Sequence, residues 1–416
     1  MVKRKNINLL FFISLLFLLS LNGCSFHQSA NPGSESKKTV ENGSNASPAS
    51  PETKQGYVDI TVAAAGDILI HNTLYYSAYD PETKSYDFRD QFKYVKPYLE
   101  NADITLANLE TTLAGPEKGY SSYPKFNTPD TIIDALKDTG VDIVTAANNH
   151  RMDTGVEGFY RTIRVVRGKG LDIIGVKADE KEKSYVIKNI KGVKIAFLNF
   201  GYGSPLRDGS LSINGLILPV NMSGLIDSFD PKNLETSVTA LERKIKDAKN
   251  NGAELIVVSM HWGDEYHRIP NEFQRKLASR IASLGANAIF GGHPHVLEPV
   301  VYLPGSGESK VPVFYSLGNF ISDQRKETVD DIYTEQGMIA KVTFRIEKNK
   351  NPQILFTQAI PTWVNKKIAD SRFIYEVIPV QEALNKKQKF PLLNTQDLER
   401  IRFCSDTVEQ LTLGIK

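Results

Sequence analysis

The sequence predicts an α/β fold in which layered mixed β-sheets are flanked by helices. Three observations carry that expectation. From residue 58 onward, short apolar runs alternate with segments of helical periodicity, the pattern of strands interleaved with helices rather than of a bundle. Seven of the runs end in a turn, and six of those turns carry Asp, Glu, Asn or His; strand ends are where ligands gather in open α/β sheets. With 416 residues, 41% of them hydrophobic and 24% charged, the chain can bury a sizeable core and is no disordered or fibrous protein.

Residues 1–23 read as an address. Lys3, Arg4 and Lys5 precede an apolar run over residues 9–21, shorter than the ~20 residues that a bilayer span takes. The run ends in Leu21-Asn22-Gly23-Cys24, which resembles a bacterial lipobox. The expectation is a lipoprotein signal peptide with Cys24 as the lipidated first residue of the mature chain. An uncleaved anchor is the alternative, and both place the protein outside the cytoplasm on the cell membrane. Residues 24–56 are rich in Ser, Asn, Pro, Gly, Glu and Lys; such a segment cannot offset its ordering entropy and is expected to be a disordered stalk.

The strands expected after the stalk are residues 58–65, 103–107, 142–147, 194–200, 255–260, 288–290 and 311–316. Helices are expected at 131–138, 156–167, 234–249 and 271–284, the last two closed by Asn-Asn-Gly and by Gly285. Residues 338–359 read as a β-hairpin turning at 348–352. Beyond a domain over 57–366, residues 367–416 form an extension with a strand at 374–379 and a helix at 396–412, expected to pack on the domain. Losing Lys3, Arg4 and Lys5 leaves 47 Lys+Arg against 48 Asp+Glu, no basic footprint for nucleic acid. Two cysteines, Cys24 and Cys404, exclude a disulfide scaffold and a thiolate metal cluster.

Brought together, the strand ends offer Asp67, Glu110, Asn149, His150, His261, His293 and His295. Carboxylate, amide and imidazole donors suit Mn²⁺, Fe²⁺ or Zn²⁺ better than Ca²⁺. Such a divalent transition metal, as one or two ions, would acidify a water and clamp a phosphoryl or carboxyl oxygen.

Six motifs occur in order: Gly66-Asp67, Asn108-Leu109-Glu110, Ala147-Asn148-Asn149-His150-x-x-Asp153-x-Gly155, His261-Trp262-Gly263-x-Glu265, Gly292-His293-Pro294-His295 and Ser316-Leu317-Gly318-Asn319-Phe320. Together they resemble the capsule-synthesis CapA family, also called the poly-γ-glutamate biosynthesis family, over about residues 58–366. The resemblance implies a calcineurin-like metallophosphoesterase sandwich. It implies that Asp67, Asn149, His261, His293 and His295 are metal ligands and that His150 is the catalytic acid or transition-state stabiliser. Two positions depart from the superfamily's pattern. Leu69 stands where an Asp-x-His motif has its His, and Glu110 stands where a bridging Asp is expected. Both fall on one half of a dinuclear site, so one full metal site is expected and a weakened second.

Other residues carry plainer alternatives. Asp67 by itself is also turn chemistry after Gly66, and Glu110 is ligand, bridge or N-cap. Asp153 is read as the cap of the following helix, with orienting His150 as the alternative. His71 is ligand or surface, His267 a rim residue, and Lys125 a solvated lysine or a contact for an anionic substrate. Asn148 and Asn319 are read as structural. The resulting expectation is a membrane-tethered metal-dependent hydrolase or transferase of capsule or poly-γ-glutamate biosynthesis or export. Its partners would be an anionic cell-envelope polymer or phosphoester, the membrane, and other capsule-machinery proteins. A non-catalytic assembly or polymer-binding factor is the alternative, with a general phosphodiesterase or nucleotidase behind it.

Overall fold

Strand-forming runs flanked by glycine and Asx turns set the frame of this computed structural model, which describes residues 56–415. The expected signal peptide, Cys24 and the stalk up to residue 55 lie outside the described residues. Leaving aside short surface hairpins, the strands in chain order begin with β1 (Tyr57–Ile68), β2 (Ile104–Leu109), β3 (Ile143–Thr145), β4 (Asp172–Ile174), β5 (Val186–Ile190), β6 (Val193–Tyr202), β7 (Ser228–Phe229) and β8 (Leu255–His261). They continue with β9 (Ala288–Gly292), β10 (Val300–Pro304), β11 (Lys310–Phe314), β12 (Asn319–Ile321), β13 (Gln336–Glu347), β14 (Gln353–Ala369) and β15 (Arg372–Pro379). The principal helices are α1 (Thr131–Asp138), α2 (Gly155–Gly168), α3 (Leu234–Asn250), α4 (Glu272–Ser283) and α5 (Thr395–Leu411).

The strands form two large mixed sheets. The first runs β15-β14-β13-β1-β2-β3-β4, with β12 paired alongside the end of β1. The second runs β7-β6-β8-β9-β11-β10, with β5 paired antiparallel to residues 193–197 of β6. β1 to β4 are parallel to one another, as are β6, β8, β9 and β11. The antiparallel strands β13, β14 and β15 complete the first sheet.

The sheets are packed face to face. Ile60, Val62, Leu106 and Ile143 of the first meet Ile195, Phe197, Val257, Phe290 and Phe314 of the second in one buried cluster. The outer face of the first sheet is covered by α1 and α2 through Ile132, Leu136, Phe159 and Ile163. The outer face of the second is covered by α3 and α4 through Leu241, Ile245, Leu277 and Ile281. Each such side chain contributes ~1.5–3 kcal/mol on burial. The layered α/β sandwich expected from the alternation is the one that forms.

Helix ends follow local chemistry. Asn233 caps α3 by accepting from the Thr236 N–H, and Asn271 with Gln274 forms a capping box on α4. β1 runs beyond its expected end at residue 65 because β12 adds to it in parallel, with Asp67 opposite Asn319 and its N–H donating to the Gly318 carbonyl at 3.0 Å. The boundary expected at 366/367 falls inside β14, and β15 makes the C-terminal residues part of the first sheet. There α5 packs Ile401 and Cys404 against Trp363 and Ile378. Among the described residues, no helix is long and apolar enough to cross a membrane.

Candidate metal centre

The sandwich sets the carboxyl ends of β1 and β2 beside those of β8 and β9. Asp67 closes β1, Glu110 follows β2, Asn149 and His150 follow β3, His261 ends β8, and His293 and His295 follow β9. Close approach needs glycine here. A Cβ on Gly66 would lie 2.0 Å from the Gly318 carbonyl oxygen, and one on Gly292 would lie 2.5 Å from Asp67 Oδ1. His293 and His295 take φ of 98° and 58°, left-handed values that cost a non-glycine residue energy and cluster at functional sites.

Asp67, Glu110, Asn149, His261, His293 and His295 are each at most 5% exposed, and the structure brings all six together. Two three-donor groups form, Glu110–His261–His293 and Asp67–Glu110–His295, with donor atoms within 4.8 Å of one another in each. Glu110 belongs to both. His261 Nε2 lies 3.4 Å from Glu110 Oε1 and 2.6 Å from Asn149 Oδ1. His295 Nδ1 is 3.2 Å from Asp67 Oδ2, and its Nε2 is 3.8 Å from Glu110 Oε1. Glu110 Oε1 and His293 Nδ1 are buried without a hydrogen-bond partner. A buried carboxylate oxygen and a buried imidazole nitrogen without hydrogen bonds, on two residues of one donor group, are costly unless a cation joins them. The residues fit a divalent transition metal.

The electrostatics agree. Burial pushes the Asp67 carboxyl up, but the hydrogen bond and charge of His295, with His261 and Asn108, outweigh it and hold the pKa below its ordinary value. Burial pulls His295 down, yet Glu110 and Asp67 raise it to about 9. Burial, with His261, His295 and His150 nearby, holds His293 well below the ordinary imidazole range. The surroundings of His295 thus favour its charged form, while those of His293 favour the neutral form with a lone pair to give.

Leu69 is buried in the core beside Ile68 and Ile70, so no imidazole comes from that position. The half-site expected to be weak still has three donors, because His295 joins Asp67 and Glu110. His71 is in neither donor group; its Nδ1 accepts the Asp323 N–H at 3.2 Å, and burial lowers its pKa to about 4. His150 stands at the edge, its ring edge-on to Phe126 and its Nδ1 donating to Asp153 Oδ2 at 2.8 Å. Asp153 is therefore not the helix cap it was read as. Its Oδ2 also accepts the Phe126 N–H, while Thr154 sits at the N-cap of α2 without a capping hydrogen bond. Glu110 caps no helix. Glu265, His267 and Lys125 are exposed.

Three further amides of the motifs complete the site: Asn108, to which the sequence assigns no role, and Asn148 and Asn319, read as structural. Asn108 Nδ2 donates to Asp67 Oδ1 at 2.7 Å and to Glu110 Oε2 at 3.2 Å. Its Oδ1 is held by Thr145 and by Asn148, which also donates to the Leu109 carbonyl; Asn148 is structural, as read. Asn319 Oδ1 faces His295 Nδ1 at 3.1 Å. The signal for Asn108 and Asn319 lay in their strand ends, but an amide there reads equally as turn chemistry.

A family model described as the bacterial capsule synthesis protein PGA_cap matches residues 61–324. The capsule biosynthesis protein CapA of Bacillus anthracis is 33% identical over 246 residues, 56% of this chain and 54% of that protein. The PGA biosynthesis protein CapA of Bacillus subtilis strain 168 is 32% identical over 263 residues, 62% of this chain and 61% of that protein. The chain thus spans between half and two thirds of the length of these two curated relatives. The solved structure of a calcineurin-like phosphoesterase from Bacillus subtilis is similar with a TM-score of 0.42 and 18% identity, covering 83% of this chain and 99% of that one. Since the family model spans more than half of the sequence and takes in the strand-end residues described above, this chain belongs to the bacterial capsule synthesis protein PGA_cap family.

Proposed function

We propose that the protein is a metal-dependent hydrolase or transferase acting at a phosphoester or amide-like bond of an anionic cell-envelope polymer such as poly-γ-glutamate. The observation that carries this reading is the pair of three-donor groups sharing Glu110, with Glu110 Oε1 and His293 Nδ1 buried and without a hydrogen-bond partner. Asp67, Glu110, Asn149, His261, His293 and His295 would hold one or two ions of Mn, Fe or Zn. When bound, such ions supply Lewis acidity and a water acidic enough to act as nucleophile near neutral pH.

The chain's own contribution is positioning and proton transfer. Asn108 ties the two carboxylates together through one amide group, fixing how far apart they stand. Asp153 takes the Nδ1–H of His150, leaving Nε2 to carry the proton delivered to a leaving group. Residues 1–23 as a signal peptide and Cys24 as the lipid attachment point would tether the domain outside the cytoplasm, where a capsule polymer is assembled or exported.

The test couples metal analysis to turnover. His293→Ala and His261→Ala should each lower metal content, and His267→Ala should not; equal losses from all three reject the site. His150→Ala should keep the metal and lose turnover of a generic aryl phosphodiester or of poly-γ-glutamate. A metal-replete wild type that turns over neither favours the assembly-factor reading. Cys24→Ser should move the protein from the membrane fraction to the soluble one, and its retention on the membrane rejects the anchor.

A further inference from the structure

The exposed turn after β8 carries a residue that the catalytic reading leaves unused. Tyr266 is 39% exposed and adopts φ of 66°, a left-handed conformation that a bulky aromatic residue avoids unless its surroundings impose it. Its N–H donates to the Pro294 carbonyl at 2.8 Å, tying it to the His293-Pro294-His295 turn. Its ring centroid lies 6.3 Å from that of His295. The side chain therefore lies beside His295, one member of the Asp67–Glu110–His295 group, with part of its ring in solvent.

A chain of amides fixes the polarity of its hydroxyl. Asn319 Nδ2 donates to the backbone carbonyls of Thr334 at 3.0 Å and His295 at 3.3 Å. A backbone carbonyl only accepts, so the amide group of Asn319 cannot be turned the other way. The same Nδ2 lies 3.0 Å from Gln324 Oε1, which sets Gln324 with its oxygen inward and its Nε2 outward. That Nε2 donates to the Tyr266 hydroxyl oxygen at 3.1 Å. The hydroxyl oxygen is thus an acceptor on its inner side, and its own proton is directed away from Gln324, with no acceptor for it among the described residues. Gln324 is 8% exposed and Asn319 fully buried, so the chain has little freedom to reorganise.

We propose that Tyr266 is a substrate-positioning residue whose hydroxyl proton is held outward to hydrogen-bond an oxyanion, a phosphoryl or carboxylate oxygen, of the ligand at this centre. The proposal deepens the reading of the same site given above. Gln324 acts through Tyr266: it occupies the oxygen's inner lone pair so that donation outward is the remaining use of the group.

The test titrates inorganic phosphate and, separately, free glutamate into the manganese-loaded and the metal-free protein by calorimetry. Tyr266→Phe should weaken binding of at least one of these probes by about tenfold or more, the size of a lost hydrogen bond to a charged oxygen. Its metal content and urea unfolding midpoint should stay those of the wild type. Loss in the phosphate titration identifies a phosphoryl ligand, and loss in the glutamate titration a carboxylate. Gln324→Glu supplies the second arm. Its carboxylate keeps the bond from Asn319 but accepts the Tyr266 proton, turning the hydroxyl inward. In that background, adding Tyr266→Phe should cost less than about twofold, whatever the new charge has already done. Unchanged affinity for both probes in Tyr266→Phe, or the same tenfold loss in the Gln324→Glu background, overturns the proposal. A wild type that takes up no manganese sinks the metallohydrolase reading but leaves the hydroxyl comparison on the metal-free protein intact.

Discussion

The two halves of the centre should fill at different pH values. In the absence of a cation His295 holds a proton up to a pH of about 9, because Glu110 and Asp67 overcome the burial that works against the charge. Asn319 Oδ1 accepts from Nδ1, so the proton that titrates sits on Nε2, the nitrogen facing Glu110 Oε1. A metal entering the Asp67–Glu110–His295 group must displace that proton, and each pH unit below 9 then lowers its apparent affinity about tenfold. At pH 7 the penalty is roughly 100-fold, about 2.7 kcal/mol. In the other group His293 is held neutral well below the ordinary imidazole range, so that nitrogen imposes no such penalty above pH 6.5. Equilibrium dialysis against a fixed, low manganese concentration, with metal analysis, should therefore give about one ion per chain near pH 6.5 and about two near pH 9. His295→Ala should abolish the ion that arrives with rising pH and spare the other. A content that stays flat from pH 6.5 to 9, or two ions that load at one midpoint, refutes the reasoning.

Two further outcomes test the surroundings. Glu298 is fully buried, with Oε1 unpaired and Oε2 accepting from Gln274 at 2.9 Å, and burial raises its pKa to about 8. The unfolded chain ionises this group first, so the stability it confers is complete below about pH 4.5 and is lost as pH rises through about 8, with a ceiling of roughly 5 kcal/mol. Urea unfolding of metal-free protein at pH 5 and pH 8.5 should show Glu298→Gln gaining on the wild type at the higher pH; parallel curves reject it. Gly292→Ala sets a methyl group against Asp67 Oδ1, a carboxylate already pinned by Asn108, His295 and the His293 N–H. It should cost ~1–3 kcal/mol in unfolding and, by displacing Asp67, lower metal content in the high-pH half alone.

Much of the fold was legible because each layer writes a strong local pattern. The helix expected at 131–138 is α1 to the residue, and the hairpin at 338–359 forms as β13 and β14 with its turn at 348–352. Strand order was not legible. Nothing local says that β12 lies beside β1 or that β9 neighbours β8, since pairing is set by long-range packing. Asn319 shows the consequence: it lies opposite Asp67 in register, yet along the chain it is one more Asx residue after a glycine. The expectation of a weakened half-site rests on Leu69 and Glu110, and its Leu69 part fails for the same reason. A reading confined to one strand end looks for its imidazole two residues away, whereas the fold supplies it from His295, on the other sheet. Asp153 was read as a cap because an acid just before a helix is usually one; tertiary contact with His150 and Phe126 claimed it instead.

The two sheets make unequal contributions to the centre. Its carboxylates, Asp67 and Glu110, come from the first sheet, and its imidazoles, His261, His293 and His295, come from the second. Two buried acids on one sheet would drive each other's pKa up and one would stay protonated. Here the His295 imidazole and the Asn108 amide stand against them, and with His261 they hold Asp67 below its ordinary value despite its burial. On the reading proposed above, the proton on His295 would be the cation's placeholder, standing against Asp67 and Glu110 across the seam until a dication took over that task. Sharing Glu110 between the groups also couples the halves, since an ion drawn to one of its oxygens withdraws charge from the other half. The seam between the sheets is the packing interface of the fold and, on that reading, would also be the place where proton and metal compete for the same donors.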